Sequence, residues 1–243
     1  MMSGRVVLSG RVETIADALH KAKVQPQESI QAPHFVRAGN QFLCFYNSGG
    51  IRLMTSPEGR HFPRRGPPPA GNLLYADGGR DVMVLPLNGV FHAYSTVSTT
   101  DGRGYIILRT SRDLMEWTPA KNVCEGGRGG VGPVSAESPF VVALEGSYYL
   151  FRASSNDGKT YVYRSSVPND FGVDDDSKLI TVLKLKAPEI LQHAGEWFIS
   201  DLADFQGIKL SRLMWHEAEA TPKPRAAQTR AAAQGADIVS GER

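Results

Sequence analysis

A chain of 243 residues, 41% hydrophobic and 21% charged with a formal net charge of +2, can bury a sizeable core and is too apolar for wholesale disorder. Its near-neutral balance leaves no electrostatic footprint for nucleic acid, and no apolar run approaches the roughly 18 residues of a membrane-spanning helix. Cys44 and Cys124 are the only cysteines; without CxxC spacing they form neither a disulfide framework nor a zinc site, and they read as buried thiols in a reducing compartment.

The first apolar patch, Val6-Val7-Leu8, is too short for the hydrophobic stretch of a signal peptide. The expected location is therefore cytoplasmic. Residues 1–30 are read as a peripheral segment holding one strand, Arg5 to Val12, and one short helix, Glu13 to Val24, where Ile15, Leu19 and Val24 share a face. From residue 31 a repeat begins. Its first unit runs Gln31 to Gly39, Gln41 to Tyr46, Ile51 to Ser56, then Phe62. The second runs Arg80 to Gly89, Phe91 to Tyr94, Tyr105 to Ser111, then Trp117; the third Glu137 to Gly146, Tyr148 to Phe151, Tyr161 to Ser166, then Phe171. The fourth runs Lys186 to Gly195, Trp197 to Ser200, Ile208 to Leu213, then Trp215.

Aligned on Pro33, Val82, Pro139 and Pro188, the units are spaced by 49, 57 and 49 residues. Each reads strand, glycine turn, aromatic strand, loop, third strand. A period near 50 residues with several strands per unit is the pattern of propeller blades, and the glycine supplies the positive φ of a tight hairpin. The predicted fold is thus an all-β propeller over residues 31–216. The proline- and alanine-rich stretch 217–243, with Pro222 and Pro224, is expected to be a mobile tail.

In a propeller the innermost strand of each blade lines a central channel, so polar residues at its start converge in space. Those slots hold Gln31-Ala32, Arg80-Asp81, Glu137-Ser138 and Lys186-Ala187. Two carboxylates across a funnel are what glycoside hydrolysis needs: one protonates the leaving oxygen, and the other stays ionised to hold or activate the nucleophile.

The segments Arg80-Asp81-Val82, Glu137-Ser138-Pro139 and Ser111-x-Asp113-x-x-x-Trp117 resemble the five-bladed propeller glycosidases, the invertases, levansucrases, arabinanases and β-xylosidases. The resemblance spans roughly residues 31 to 215 and implies a five-bladed architecture of which four units are legible. It implies Glu137 as general acid and Asp81, with Val82 in place of the family's proline, as the carboxylate that supports it. Arg80, His34, Gln31 and Glu189 are the accompanying candidates for substrate binding. The family's first acid sits one residue before a proline in blade one, where this chain has Ala32. Glu28, His34 and Glu189 are the residues available to replace it, and none fits the motif position.

Arg80 is expected to point away from Glu137, since an inward guanidinium would oppose proton donation. Asp174-Asp175-Asp176 lacks the alternating ligand pattern of a calcium loop, and Gly126 to Gly130 lacks the Lys-Ser/Thr of a phosphate loop. These read as a solvated turn and a flexible loop at the channel mouth, with no metal or cofactor expected. Three functions follow: a glycoside hydrolase with a carbohydrate substrate, a carbohydrate-binding propeller made inactive by Ala32, or a protein-interaction propeller.

Overall fold

The computed structural model describes residues 30–63, 72–75, 79–202 and 206–216. The predicted strand at Arg5–Val12, the helix at Glu13–Val24 and the tail from 217 lie outside the described residues. The chain divides into two compact units, residues 1–213 and 214–243, and every strand among the described residues belongs to the first.

Short segments rich in β-branched and aromatic residues form the strands, and those in the middle of the first three sheets are buried almost without a break. The first sheet orders β1 (Gln31–Ala38), β2 (Gln41–Asn47), β3 (Ile51–Ser56) and β4 (Leu73–Tyr75). The second orders β5 (Arg80–Leu87), β6 (Val90–Ser98), β7 (Gly104–Ser111) and β8 (Lys121–Glu125). In the third, β9 (Glu137–Leu144), β10 (Ser147–Ser154), β11 (Lys159–Ser165) and β12 (Leu179–Leu183) follow in the same way. The fourth has β13 (Ile190–His193), β14 (Glu196–Asp201) and β15 (Lys209–Leu213). All pairings within the sheets are antiparallel.

This is an all-β, four-bladed propeller-like arrangement. The expected first three strands of every unit are present, and three units add a short fourth strand that the repeat did not reveal. The fifth blade implied by the resemblance has no sheet among the described residues. The described residues contain no helix long and apolar enough to cross a membrane.

The hairpin glycines do what the repeat requires. Asn88-Gly89, Glu145-Gly146 and Ala194-Gly195 all carry positive φ at both positions, the backbone of a two-residue hairpin whose twist matches that of its strands.

The core lies between blades. Leu43, Phe45 and Leu53 of the first sheet pack with Val82, Val84 and Ala93 of the second. Met83, Tyr94 and Ile106 of the second sheet pack with Val141, Leu150 and Tyr163 of the third. In β5 and β6, consecutive residues thus go to opposite blades: Val82 one way, Met83 the other. Cys44 and Cys124 are buried, free thiols, and burial pushes Cys44 up to about 12, so it is an inert thiol rather than a thiolate.

The loop leading to β9 departs from expectation. Gly126 to Gly130 is not a free loop: a short 3₁₀ turn spans Gly127–Gly129 and buries Gly129. Arg152 of β10, wholly buried, holds it. Arg152 Nε donates to Ser135 O at 3.0 Å, Nη1 to Gly126 O at 3.1 Å and Nη2 to Gly130 O at 2.5 Å. A Cβ on Gly129 would lie 2.8 Å from Arg152 Cζ, so glycine is needed there for close approach rather than mobility. The acidic run serves the same loop: both carboxylate oxygens of Asp176 accept from Arg128 N, at 3.0 and 3.1 Å.

Candidate active site

One backbone feature recurs in every blade. Ala32, Asp81, Ser138 and Ala187 have φ of 45°, 53°, 45° and 45°, the left-handed region that costs non-glycine residues energy. In the first three sheets it coincides with a bulge: the pairing register slips between Gln31 and His34, between Arg80 and Met83, and between Phe151 and Ala153 opposite the start of β9. The bulge turns the residue before each aligned position toward the channel mouth. Asp tolerates this conformation; alanine gains nothing local from it, so Ala32 and Ala187 keep it because the architecture imposes it.

A hydrogen-bonded chain runs round the mouth from blade to blade. Asn47 Nδ2 donates to Gln31 Oε1 at 3.0 Å, and Asp81 N donates to Asn47 Oδ1 at 3.1 Å. Asp81 Oδ2 accepts from Ser138 N at 3.3 Å. Burial pushes the Asp81 carboxyl above its ordinary value, against the opposing pull of the Ser138 N–H and the Arg80 charge.

Glu137 stands beside it, and the expectation for Arg80 is corrected here. Arg80 turns inward: its Nη2 lies 2.9 Å from Glu137 Oε1. Nη1 donates to Ser98 Oγ at 2.8 Å and Nη2 to Pro133 O at 3.3 Å. The other Glu137 oxygen accepts from Ser155 Oγ. The neighbouring Glu137 side chain and the Pro133 carbonyl, set by the loop that Arg152 anchors, offer an arginine at this slot better acceptors than solvent does.

Two adjoining cavities share Asp81, Ser138, Ala187 and Leu202. The larger, about 710 Å³, adds Glu137, the turn Ser155 to Gly158, and Lys186. The smaller, about 310 Å³, takes three consecutive residues from each blade, ending at His34, Met83, Phe140 and Glu189. The predicted residues Asp81, Glu137, His34 and Glu189 therefore line one continuous space. Gln31 and Arg80 line neither cavity, and act instead through Asn47 and Glu137. Among the described residues no group of His, Cys, Asp and Glu is placed to hold a metal.

His34 Nε2 donates to Val84 O at 3.2 Å, and its ring meets Phe140 edge-on at 5.9 Å. Burial lowers it to about 4, so it is a neutral wall of the cavity at neutral pH. Because the unfolded chain takes up this proton at higher pH than the folded one, stability falls as pH drops from about 6.5 to 4, by up to about 3 kcal/mol. Asp81 and Glu189, raised by burial, act oppositely and offset part of the loss at the acid end of that range. Titrating urea midpoints from pH 7 to 4 should show a markedly smaller decline in His34→Gln than in the parent; parallel declines would mean His34 is not a source of the acid sensitivity.

Sequence reasoning missed Asn47, Ser155 and Arg152. Arg152 alone left a signal, an arginine on the same side of the aromatic strand as Tyr148 and Leu150.

Solved structures similar to this chain are propeller glycosidases. An RS223 β-xylosidase superposes with a TM-score of 0.57 at 13% identity, over 79% of this chain and 73% of that one. A Bombyx mori GH32 β-fructofuranosidase gives 0.54 at 17% identity, over 73% and 43%; this chain spans less than half of that enzyme. A GH43_1 enzyme from Xanthomonas citri gives 0.55 at 17% identity, over 76% and 69%. No family model and no curated protein matches the sequence. The fold expected from the resemblance is thus that of the GH32 and GH43 β-propeller glycoside hydrolases.

Proposed function

We propose that the protein acts on a glycosidic bond in the funnel at the blade starts, with Glu137 as proton donor and Asp81 in support. The observation that carries this reading is the joint lining of one cavity by Glu137 and Asp81, on adjacent blades of a propeller whose fold neighbours are glycosidases. One such neighbour, the Bombyx mori enzyme, is solved with sucrose, and a carbohydrate ligand is proposed here as well. The same reading takes the four sheets as part of a five-bladed architecture.

In this reading Glu137 takes up a proton and leaves Arg80 when sugar enters. Arg80 keeps Ser98 Oγ and Pro133 O as acceptors, so its charge is not stranded by the change. Asp81 stays in place through Ser138.

A second reading, carbohydrate binding without turnover, is favoured by Ala32 in the blade-one slot and by the Arg80–Glu137 ion pair. Incubating the full chain with aryl pentosides and hexosides of both anomers, and with sucrose, separates the two. The enzyme reading expects cleavage of at least one; sugar binding with no cleavage of any would establish the second.

A further inference from the structure

Acid–base cleavage of a glycoside needs a second carboxylate that is free to meet water or the sugar. The four carboxylates of the two cavities described above differ in this respect. Asp81 is occupied by Ser138, Glu137 by Arg80 and Ser155, and Asp157 by Tyr161 and Lys159. Glu189 is different. Its main chain is fixed to β14, with Glu189 N donating to Ser200 Oγ at 2.8 Å and Ser200 N to Glu189 O at 2.9 Å. Its carboxylate has no hydrogen-bond or ion-pair partner among the described residues, although it lines the smaller cavity.

The position is equivalent, blade for blade, to His34, Met83 and Phe140. Glu189 is exposed to water, and the protein packed against part of it raises its carboxyl above the ordinary value. Met83 and Phe140 give the same cavity an apolar wall against which a sugar ring can stack. At about 310 Å³, the cavity is at the small end of ligand sites and suits one ring. Ala32 lines it too and offers no acid-base group.

Resting on the glycosidase reading above, we propose that Glu189 of the fourth blade is the second catalytic carboxylate, the base that activates the attacking water. The water oxygen bonds to the anomeric carbon as its proton passes to Glu189. The bond from that carbon to the leaving oxygen breaks as Glu137 delivers its proton there. Water is consumed, the anomeric configuration inverts, and both side chains return to their starting states by proton exchange with solvent. One neutral sugar ring of the substrate occupies the smaller cavity, with the remainder in the larger one.

The test uses the full chain, an aryl glycoside that the parent cleaves, and sodium azide. Glu189→Ala should lower turnover by roughly 10²–10⁴. Azide, a small anion that needs no base, should then restore turnover and yield a glycosyl azide of inverted configuration. Since rescue requires a folded site, it reads chemistry rather than stability; Glu189→Gln should show the same loss at unchanged melting temperature. Unchanged turnover in Glu189→Ala would overturn the assignment while leaving the glycosidase reading intact. So would a loss that azide neither rescues nor converts to glycosyl azide. A parent that cleaves no glycoside would overturn the glycosidase reading itself, and this assignment with it.

Discussion

Glu137→Gln should reduce turnover of a glycoside with a poor leaving group by roughly 10²–10⁴, while costing much less on a nitrophenyl glycoside. The amide keeps the volume of the side chain; its one oxygen can still accept from Arg80, and its NH2 can donate to the Ser155 hydroxyl, which turns from donor to acceptor. It cannot deliver a proton. A sugar alkoxide leaves badly without one, whereas nitrophenolate leaves unaided, so the ratio between the two substrates isolates the donor role. Equal losses on both would mean that Glu137 positions substrate instead. No loss on either would make it a structural partner of Arg80, leaving the funnel a binding site.

Arg152→Met should lower the free energy of unfolding by about 2–6 kcal/mol. Arg152 is completely buried, and no carboxylate pairs with it among the described residues; its charge is satisfied by carbonyl dipoles instead. Methionine fills much of the volume but strands the carbonyls of Gly126 and Ser135, each costing about 1–3 kcal/mol when buried without a donor. Lysine is no remedy, because a point ammonium cannot span acceptors arranged for a planar fork. The loop that Arg152 holds also carries Pro133, whose carbonyl receives Arg80, and runs directly into Glu137. The variant should therefore become sensitive to protease between residues 126 and 136 before the blades unfold. A denaturation midpoint within error of the parent's would show that the network adds nothing.

The blades were legible because each repeats a strand, a glycine turn and an aromatic strand, and these signals are local. The fourth strands were not. Leu73–Tyr75 is only three residues long, and Leu179–Leu183 is only partly buried, so neither shows the pattern of a strand covered on both faces. The candidate carboxylates could be found by their slots, since Asp81 and Glu137 start consecutive inner strands. What held them could not: the contact of Arg80 with Glu137 depends on the Pro133 carbonyl, brought near by an anchor in a different strand. The glycine run was misread for a related reason. Four glycines around Arg128 signal freedom when nothing packs on them and close approach when a buried guanidinium does. The left-handed residues at 32, 81, 138 and 187 are invisible in composition, because two alanines, a serine and an aspartate share no propensity for that conformation.

The central claim is that sugar binds where the four inner strands begin. A crystal structure of the Glu137→Gln chain with an uncleaved disaccharide tests it most directly. The predicted complex seats one ring against Phe140 with hydroxyls reaching Asp81 and Glu189, and the glycosidic oxygen about 3 Å from the side chain at position 137. Sugar bound elsewhere on the molecule, or an empty funnel at saturating sugar, would contradict the account.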